Sequence, residues 1–561
     1  MITVSDLTVK LGDRNVIDGI SLEIKDGEFI SVVGKNGSGK TTLAHCLNGL
    51  RKPSAGTVRV GHLDTSHPKN TAEIHRRVGM VFQNPDDQLV ATTVETELAF
   101  GLENLGLCTE RIRERIEIAI DVFDLEELRT RPPQQLSGGE KQRLAIASSY
   151  TMYPDYLILD EPTALLDNHH QNQIMRQLQT LNNDHKIGLV IITHSPHEAM
   201  QAERMIILEN GRIVSNGSPK IIYNNLELLE VSKIEAPFAT QLGHALNEKK
   251  ITLTIKDFAE NWNRSINVGD QSPDCSIKTA SGAISIELSK VHHEYQQYIK
   301  DQEPSLTDLS LKFSRGSLHA ILGKSGSGKT TLAQHLNGLL LPKSGSIFLN
   351  NENMTNYSMN KLIRKVGLVF QFPELQLFAE TVEEDVAFGP EKLNLCKEEI
   401  HQRIDKSLDR VGLPLEHYGN RSPQDLSSGE KRRVAIAGVI AMDHEVIVLD
   451  EPTAGLDPRT SQSLCKMMSD LAKKSNKTVI WITHDVDAAA TWADEITVMA
   501  HGQIAITGRA RDVVTDKDFN KSTGLLPPLS VILYEKMKRF GYVMPFVPIT
   551  LEETVSLLSS Q

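Results

Sequence analysis

Short, unbroken apolar runs that end at a glycine or an acidic residue recur along the chain. They are EFISVV at 28–33, YLILD at 156–160, SLHAIL at 317–322 and VIVLD at 446–450. Runs of this length without alternation are typical of strands buried on both faces, and longer stretches with charged faces lie between them. The pattern predicts strands alternating with helices, and therefore an α/β fold with a largely parallel central sheet.

The whole pattern occurs twice. VGKNGSGKTTLAHCLNGL at 33–50 returns as LGKSGSGKTTLAQHLNGL at 322–339, and LILDEPTALLD at 157–167 returns in VIVLDEPTAGLD at 446–457. The separation between equivalent positions hardly changes along the chain, which two unrelated domains would not maintain. We therefore interpret the 561-residue chain as a tandem duplication.

The repeat continues beyond the last shared motif. PFATQLGHALNEKK at 237–250 resembles PLSVILYEKMKRFG at 528–541, and each is a proline followed by an amphipathic helical pattern. Each half is therefore predicted to contain a main domain and a small C-terminal subdomain, with a polar linker between the halves. The predicted boundaries are 1–225 for the first main domain, 226–264 for its subdomain, 265–283 for the linker, 284–515 for the second main domain and 516–561 for its subdomain.

Composition and charge narrow the range of partners. The net charge is −12, so a nucleic-acid partner is not expected, because phosphate backbones require basic surfaces. The five cysteines form no C-x-x-C pair, which argues against a disulfide framework or a metal cluster. No run of about 18 apolar residues occurs, and the N-terminus lacks a signal-peptide pattern. We expect the chain to reach a membrane only through a partner.

Two glycine-rich stretches, GKNGSGKT at 34–41 and GKSGSGKT at 323–330, match G-x-x-x-x-G-K-[ST]. Each follows a predicted strand and opens a predicted helix, so backbone N–H groups and the helix N-terminus can cradle phosphates. The lysine should reach the β- and γ-phosphates, and the threonine should supply a hydroxyl to Mg²⁺. The predicted nucleotide-binding residues of these loops are Gly34, Lys35, Asn36, Gly37, Ser38, Gly39, Lys40, Thr41 and Thr42 in the first half, and Gly323, Lys324, Ser325, Gly326, Ser327, Gly328, Lys329, Thr330 and Thr331 in the second.

Acidic pairs end two of the apolar strands. Asp160 and Asp450 can hold Mg²⁺, and the glutamate after each can orient or deprotonate a water molecule. A histidine also ends a later apolar strand in each half, in register with the other motifs, which predicts a contact with the γ-phosphate. The predicted catalytic residues are Glu161, Glu451, His194 and His484.

These motifs, together with VFQ, LSGGE and LDEPT in this order, resemble the ATP-binding cassette (ABC) ATPases over most of both halves. The resemblance implies two cassettes packed head to tail, with each ATP between the phosphate loop of one and the LSGGE-type stretch of the other. One composite site would use Lys40, Thr41, Gln83, Asp160, Glu161 and His194 with Ser427 and Gly429. The other would use Lys329, Thr330, Gln371, Asp450, Glu451 and His484 with Ser137 and Gly139. The implied Mg²⁺ ligands are Thr41, Gln83 and Asp160, and Thr330, Gln371 and Asp450.

Two differences between the halves predict unequal sites. The second half reads LSSGE, and if the position of Ser428 needs a left-handed backbone, a non-glycine residue there costs about 1–2 kcal/mol. The family also stacks adenine on an aromatic residue, for which Tyr295 fits in the second half, whereas Leu11 occupies the place in the first. Our hypothesis is a working but weakened LSSGE, a slower Lys40-based site, and a Lys329-based site that does most of the turnover.

The stretches after each glutamine, 83–106 and 371–394, look like those of the ATPase subunits of energy-coupling-factor (ECF) transporters. Those transporters import vitamins and transition-metal ions. The resemblance implies a fused pair of ATPase subunits at the cytoplasmic face of the cell membrane. Their partners would be a transmembrane scaffold subunit and a membrane-embedded substrate-binding subunit. Asp86, Asp87 and Glu374 are candidate contacts for arginines of the scaffold, with a solvated acidic loop as the alternative.

Two other classes share the ATP motifs. A soluble tandem-cassette ATPase that acts on ribosomes typically has a long charged helical linker, whereas here the segment after the first cassette resembles a repeated subdomain and the chain is acidic. A sugar-importer ATPase with duplicated cassettes would lack stretches of the PDDQLVATTVE type. The transported substrate is left open among a vitamin, a vitamin precursor and a metal ion.

Overall fold

The structure is a computed structural model. It describes residues 1–12, 14–164, 166–248, 251–263, 283–295 and 305–559. The chain divides into two compact units, Met1–Thr254 and Ile255–Gln561. The predicted linker at 265–283 lies outside the described residues except for Ala283.

The first unit contains ten strands and ten α-helices among its described residues. The strands are β1 Ile2–Leu11, β2 Arg14–Ile24, β3 Phe29–Val33, β4 Ala55–Val60, β5 Leu63–Asp64, β6 Val78–Val81, β7 Tyr156–Asp160, β8 Gly188–Ile192, β9 Arg204–Glu209 and β10 Arg212–Gly217. The helices are α1 Lys40–Asn48, α2 Thr71–Arg77, α3 Val94–Asn104, α4 Thr109–Phe123, α5 Gly138–Thr151, α6 Asn168–Asn183, α7 Pro196–Ala199, α8 Pro219–Tyr223, α9 Leu226–Ser232 and α10 Phe238–Ala245.

The second unit begins with helix α11 (Ile255–Asn261), repeats the strand order of the first unit, and includes thirteen α-helices among its described residues. Its strands are β11 Ile284–His293, β12 Leu306–Ser314, β13 Leu318–Gly323, β14 Ser344–Leu349, β15 Glu352–Asn353, β16 Val366–Val369, β17 Val446–Asp450, β18 Thr478–Ile482, β19 Glu495–Ala500 and β20 Gln503–Arg509. Its helices are α11 Ile255–Asn261, α12 Lys329–Asn337, α13 Met359–Lys365, α14 Val382–Glu391, α15 Lys397–Arg410, α16 Leu415–Tyr418, α17 Ser428–Ala441, α18 Pro458–Lys473, α19 Val486–Trp492, α20 Ala510–Val514, α21 Phe519–Thr523, α22 Leu529–Arg539 and α23 Leu551–Ser559.

Each unit is built on a six-stranded sheet with the order β10-β9-β3-β8-β7-β6 or its counterpart β16-β17-β18-β13-β19-β20. All strand pairs in these sheets are parallel except the last hairpin, β9 with β10 or β19 with β20. The four apolar runs form β3, β7, β13 and β17, and every residue of these strands is buried. The predicted α/β class, with a largely parallel sheet in each half, is confirmed.

A second sheet in each unit did not follow from the sequence pattern. It is antiparallel, with the order β2-β1-β4-β5 in the first unit and β12-β11-β14-β15 in the second. Its apolar residues pack with those of the parallel sheet and of the helix after the phosphate loop. The parallel strands all point the same way, so the loops after β3, β7 and β8 meet at one edge of the sheet.

Helix α11 lies in the second unit, although its sequence follows the first half. Phe258 and Trp262 are buried and stack with ring centroids 5.5 Å apart. The Tyr542 hydroxyl donates to the Trp262 carbonyl, and α11 packs against α22. The end of the predicted 226–264 subdomain therefore packs on the C-terminal subdomain of the second half. Within the described residues, no helix combines the length and apolarity that a bilayer crossing needs.

Candidate nucleotide-binding sites

Both phosphate loops have backbone paths that only glycine allows. A Cβ built on Gly34 would lie 2.1 Å from the Leu208 carbonyl oxygen, and one on Gly323 would lie 2.5 Å from that of Met499. The last glycine before each lysine, Gly39 or Gly328, has φ of 104° or 98°, and it caps the following helix. The loops therefore turn tightly between β3 and α1, and between β13 and α12, as predicted.

The lysine and serine side chains of each loop lie at its centre. The Lys40 ammonium donates to the carbonyls of Gly34 at 2.7 Å and Lys35 at 3.0 Å. The Lys329 ammonium makes the corresponding bonds at 2.7 Å and 2.9 Å. The Ser38 and Ser327 hydroxyls are buried in the loops with no hydrogen-bond partner among the described residues. Unpaired hydroxyls and a convergent ammonium fit the oxygen-rich phosphates of a nucleotide.

The loop threonine and the strand-end aspartate meet in both halves. The Thr330 hydroxyl donates to Asp450 Oδ2 at 2.8 Å, and Thr41 makes a side-chain hydrogen bond to Asp160. Burial raises the pKa of each aspartate to about 6. A hydroxyl beside a buried carboxylate is a set of hard oxygen donors that fits Mg²⁺, whose charge would favour the ionised form.

Five predicted residues converge in the first half. The Gln83 amide donates to Glu161 Oε2 at 2.8 Å, and His194 Nε2 lies 3.2 Å from Glu161 Oε1. The same imidazole nitrogen lies 2.9 Å from Asn36 Oδ1 and 3.2 Å from Lys40 Nζ. The structure thus joins the phosphate loop, the glutamine loop and the two strand ends around Glu161.

In the second half, His484 Nδ1 lies 3.0 Å from Glu451 Oε2. Burial opposes the charge on both groups, but their mutual attraction outweighs it. The pKa of Glu451 is therefore lowered and that of His484 raised. The Gln371 carbonyl accepts a hydrogen bond from Arg432 at 3.2 Å.

Both glutamates have a left-handed backbone, with φ of 47° at Glu161 and 50° at Glu451. This conformation is unusual for a residue with a side chain, and such residues cluster at functional sites. It was not predicted, because no local signal in the sequence marks it. It turns the chain directly after the buried strand, so each glutamate lies over the sheet edge.

The two LSGGE-type stretches begin helices α5 and α17 in the same way. Ser137 accepts from the Glu140 N–H while the Glu140 carboxylate accepts from the Ser137 N–H at 2.7 Å. Ser427 and Glu430 form the same capping box, with the second bond at 2.9 Å. Gly139 and Gly429 lie in the first turn of these helices.

The condition for strain at LSSGE, a left-handed backbone, is not met at the glycine that corresponds to Ser428. That glycine, Gly138, is the first residue of α5, and its φ is not in the left-handed region. A Cβ there would meet Leu166 at 3.8 Å, which is ordinary van der Waals contact. The side chain of Ser428 lies outside the described part of the structure. The backbone geometry removes this reason for a weakened second LSGGE-type stretch.

The aromatic difference between the halves remains. The strand registers of β1 and β11 place Leu11 at the position of Tyr295, and both side chains are 47% exposed. The Tyr295 hydroxyl lies 3.2 Å from that of Thr331, beside the second phosphate loop. An exposed ring at this place can stack on a purine, whereas leucine offers only apolar contact.

Comparison with known proteins gives a consistent result. The ABC transporter family profile matches residues 17–164 and 306–454. A relative from Caldanaerobacter subterraneus, named "Putative ABC transporter ATP-binding protein", is 34% identical and aligns over 96% of each chain. A Bacillus subtilis relative, named "Putative HMP/thiamine import ATP-binding protein YkoD", is 32% identical over 94% of each chain.

Among solved structures, cbiO1 from Clostridium perfringens, described as part of the ABC transporter complex cbiONQ, is 36% identical. The match covers 45% of this chain and 98% of that one, with a TM-score of 0.39. Two family matches in one chain, together with relatives that align from end to end, decide the assignment. The protein belongs to the ABC transporter family, and it is an ATPase with two cassettes in one chain whose ATP hydrolysis is coupled to transport.

Proposed function

We propose that the protein is the energy-coupling subunit of an ECF-type importer. ATP hydrolysis at the cytoplasmic face of the membrane would drive uptake of a vitamin, a vitamin precursor or a metal ion. A separate transmembrane scaffold and a membrane-embedded substrate-binding subunit would form the path of the substrate across the membrane. The name of the Bacillus subtilis relative, an HMP/thiamine import protein, supports import of a vitamin or its precursor. The pairing of the two cassettes around ATP stays a prediction from the sequence.

The chemistry of each site follows from the residues it contains. We assign phosphate binding to the glycine-rich loops and to Lys40 and Lys329. Glu161 and Glu451 orient the attacking water and accept its proton, and a histidine holds each carboxylate in place. Bound Mg²⁺ would neutralise charge on the phosphates, and its ligands would be Thr41, Gln83 and Asp160, and Thr330, Gln371 and Asp450.

One observation carries the importer proposal: large apolar side chains are exposed just after the glutamine loops. Leu375 is 82% exposed and Phe378 is 65% exposed, and the Phe378 ring lies 4.9 Å from that of Phe388. Val90 and Phe100, in the corresponding stretch of the first half, are 64% and 49% exposed. Grouped apolar side chains on a surface indicate a docking site for another protein. We assign these two surfaces, one in each unit, to contact with the scaffold subunit.

The acidic residues predicted to face the scaffold have different surroundings. Glu374 pairs with the buried Arg432 at 3.4 Å inside the second unit. It therefore stabilises its own loop and does not serve as a contact for a partner protein. Asp86 pairs with Lys141 at 2.7 Å but is 57% exposed. Asp86 and Asp87 stay candidates for a contact with a basic partner, in the same stretch as the exposed Val90 of the first unit.

Gentle solubilisation of native membranes and purification of the tagged protein test this function. We expect a multi-spanning scaffold and a small membrane-embedded binding protein to co-purify. The double variant Leu375→Asp, Phe378→Asp should lose these partners and keep basal ATPase activity. Leu341→Asp is the matched control, because Leu341 is also 66% exposed but lies elsewhere.

The alternatives give distinct results. Ribosomal subunits without membrane proteins would replace the transport assignment by a ribosome-associated ATPase. A pair of permease subunits with an external sugar-binding protein would indicate a sugar importer. Retention of all membrane partners by the double variant would reject the apolar surface as the docking site.

A further inference from the structure

A cavity of about 540 Å³ lies beside the second phosphate loop. Five parts of the unit line it: Tyr295, the start of the phosphate loop from Lys324 to Ser327, the end of helix α21 from Lys521 to Gly524, the end of β19 with the following turn from Met499 to Gly502, and Ser305. The first two parts are predicted to bind the base and the phosphates of a nucleotide. The third belongs to the C-terminal subdomain, for which the sequence predicted no part in nucleotide binding.

The wall formed by α21 contacts the phosphate loop closely. Gly524 ends α21 with a left-handed backbone, φ 66°, and a Cβ there would lie 2.6 Å from both Cε and Nζ of Lys324. Glycine at this position therefore leaves room for the Lys324 ammonium. Lys521 lies one turn earlier on the same helix and is exposed, with Asp518 3.5 Å away.

The charge of this cavity suits an anion. Two lysines line it, and its described lining residues include no carboxylate. The first half differs at the same place, because Lys35 pairs with Glu209, the last residue of β9, at 3.0 Å. The corresponding last residue of β19 is Ala500, which leaves no acid at that position beside Lys324. Glu209 thus neutralises Lys35 in the first loop, whereas the corresponding residue beside Lys324 in the second loop, Ala500, does not.

We propose that the C-terminal subdomain of the second half forms one wall of its nucleotide pocket, and that Lys521 and Lys324 contact the phosphate groups of the bound nucleotide. This inference rests on ATP binding at the second phosphate loop. It gives the small subdomain a direct role in ATP affinity. It also gives the second site an additional electrostatic contribution, beyond Tyr295, that the first site lacks.

Calorimetric titration of ATP and ADP into the full-length chain tests the proposal. A Lys40→Ala background removes the first phosphate-loop lysine, so that the remaining binding reports the second loop. In that background, Lys521→Ala should weaken binding about three- to fivefold at low salt, because an exposed charge contact contributes modestly. The loss should shrink at high salt, and Lys521→Arg should keep the affinity.

Two further variants make the test specific. Lys517→Ala removes the same charge from an exposed position of the subdomain outside the cavity lining, and it should leave ATP affinity unchanged. Ala500→Glu copies the Glu209 arrangement beside Lys324, and it should weaken binding about as much as Lys521→Ala. Unchanged affinity in both Lys521→Ala and Ala500→Glu at low salt would overturn the proposal.

A separate variant distinguishes failure of this inference from failure of the assigned site. Lys329→Ala in the Lys40→Ala background should abolish ATP binding. If it does, and Lys521→Ala has no effect, the nucleotide site stands and the α21 wall is rejected. If ATP still binds, the nucleotide site lies elsewhere, and the inference falls with it.

Discussion

The Nδ1 atom of His484 lies 3.0 Å from Oε2 of Glu451 at the carboxyl edge of the second parallel sheet. The lowered pKa of the glutamate and the raised pKa of the histidine describe a carboxylate kept ionised by an adjacent imidazole, against the effect of burial. An ionised carboxylate can accept a hydrogen bond from a water molecule and so orient it, although its lowered pKa makes it a weaker base. The role of Glu451 in hydrolysis stays a prediction, and the contact with His484 gives it a fixed carboxylate to test.

Replacement of Glu451 in the second half should reduce total ATPase activity more than replacement of Glu161 in the first. Glu451→Gln cannot accept a proton, and loss of a general base lowers the rate at its site about 10²–10⁴-fold. Because Tyr295, Lys324 and Lys521 favour ATP at the second loop, we expect Glu451→Gln to lower total ATPase activity more than Glu161→Gln. Steady-state phosphate release measures both variants, and equal losses would contradict unequal sites.

Exchange of the residues at the adenine position should weaken ATP binding in the second half and strengthen it in the first. Tyr295→Leu should weaken ATP binding at the second loop up to about tenfold, because aromatic stacking contributes about 0.5–1.5 kcal/mol beyond burial. Leu11→Tyr should strengthen binding at the first loop. Titrations in the Lys40→Ala and Lys329→Ala backgrounds read the two sites separately. If neither substitution changes ATP affinity, Tyr295 does not belong to the site.

Substitution of the second glycine of LSGGE should lower the free energy of unfolding, and substitution of the first should not. A Cβ on Gly139 would lie 2.5 Å from Cδ2 of His170, so Gly139→Ala should destabilise the first unit by about 1–3 kcal/mol. Gly138→Ala is the matched control, since its Cβ meets only ordinary contact. Urea unfolding followed by circular dichroism gives both values. The addition of His170→Ala should restore most of the loss, and failure to restore it would exclude this clash as the cause.

The second unit should lose stability in mild acid because of His444. Burial lowers the pKa of this histidine to about 4, and its Nδ1 lies 3.2 Å from the Arg364 carbonyl oxygen. Its unfolded pKa is near 6.5, so the neutral form stabilises the fold above that pH, and this contribution falls as the pH drops from about 6.5 towards 4. Between about pH 7.5 and pH 5 the loss should be about 2 kcal/mol.

Denaturant unfolding followed by tryptophan fluorescence can measure this effect. Trp262, Trp481 and Trp492 are the only tryptophans of the chain, and all lie in the second unit, so the signal reports that unit. His444→Gln should show a smaller fall in stability over the same pH range. An identical pH dependence in His444→Gln and the parent protein would assign the acid sensitivity to other groups.

The sequence by itself determined the duplication, the α/β class and the local parts of the two sites. Lys40 and Lys329 lie in loops that glycine spacing specifies, and Asp160 and Asp450 end strands that continuous apolar runs specify. These features depend on neighbouring residues, so they can be identified without knowing how distant segments meet. The ends of parallel strands lie at one edge, which explains why the predicted residues converge.

The tertiary structure alone decided the features that depend on distant contacts. The neutralisation of Lys35 by Glu209, the room that Gly524 leaves for Lys324, and the packing of α11 on α22 each join segments far apart in sequence. The left-handed backbone of Glu161 and Glu451 has no local sequence signal, and it persists because the surrounding sheet edge holds it. Gly138 shows the converse. A glycine at this position suggested a left-handed, strained backbone, but as the first residue of helix α5 it needs no such conformation.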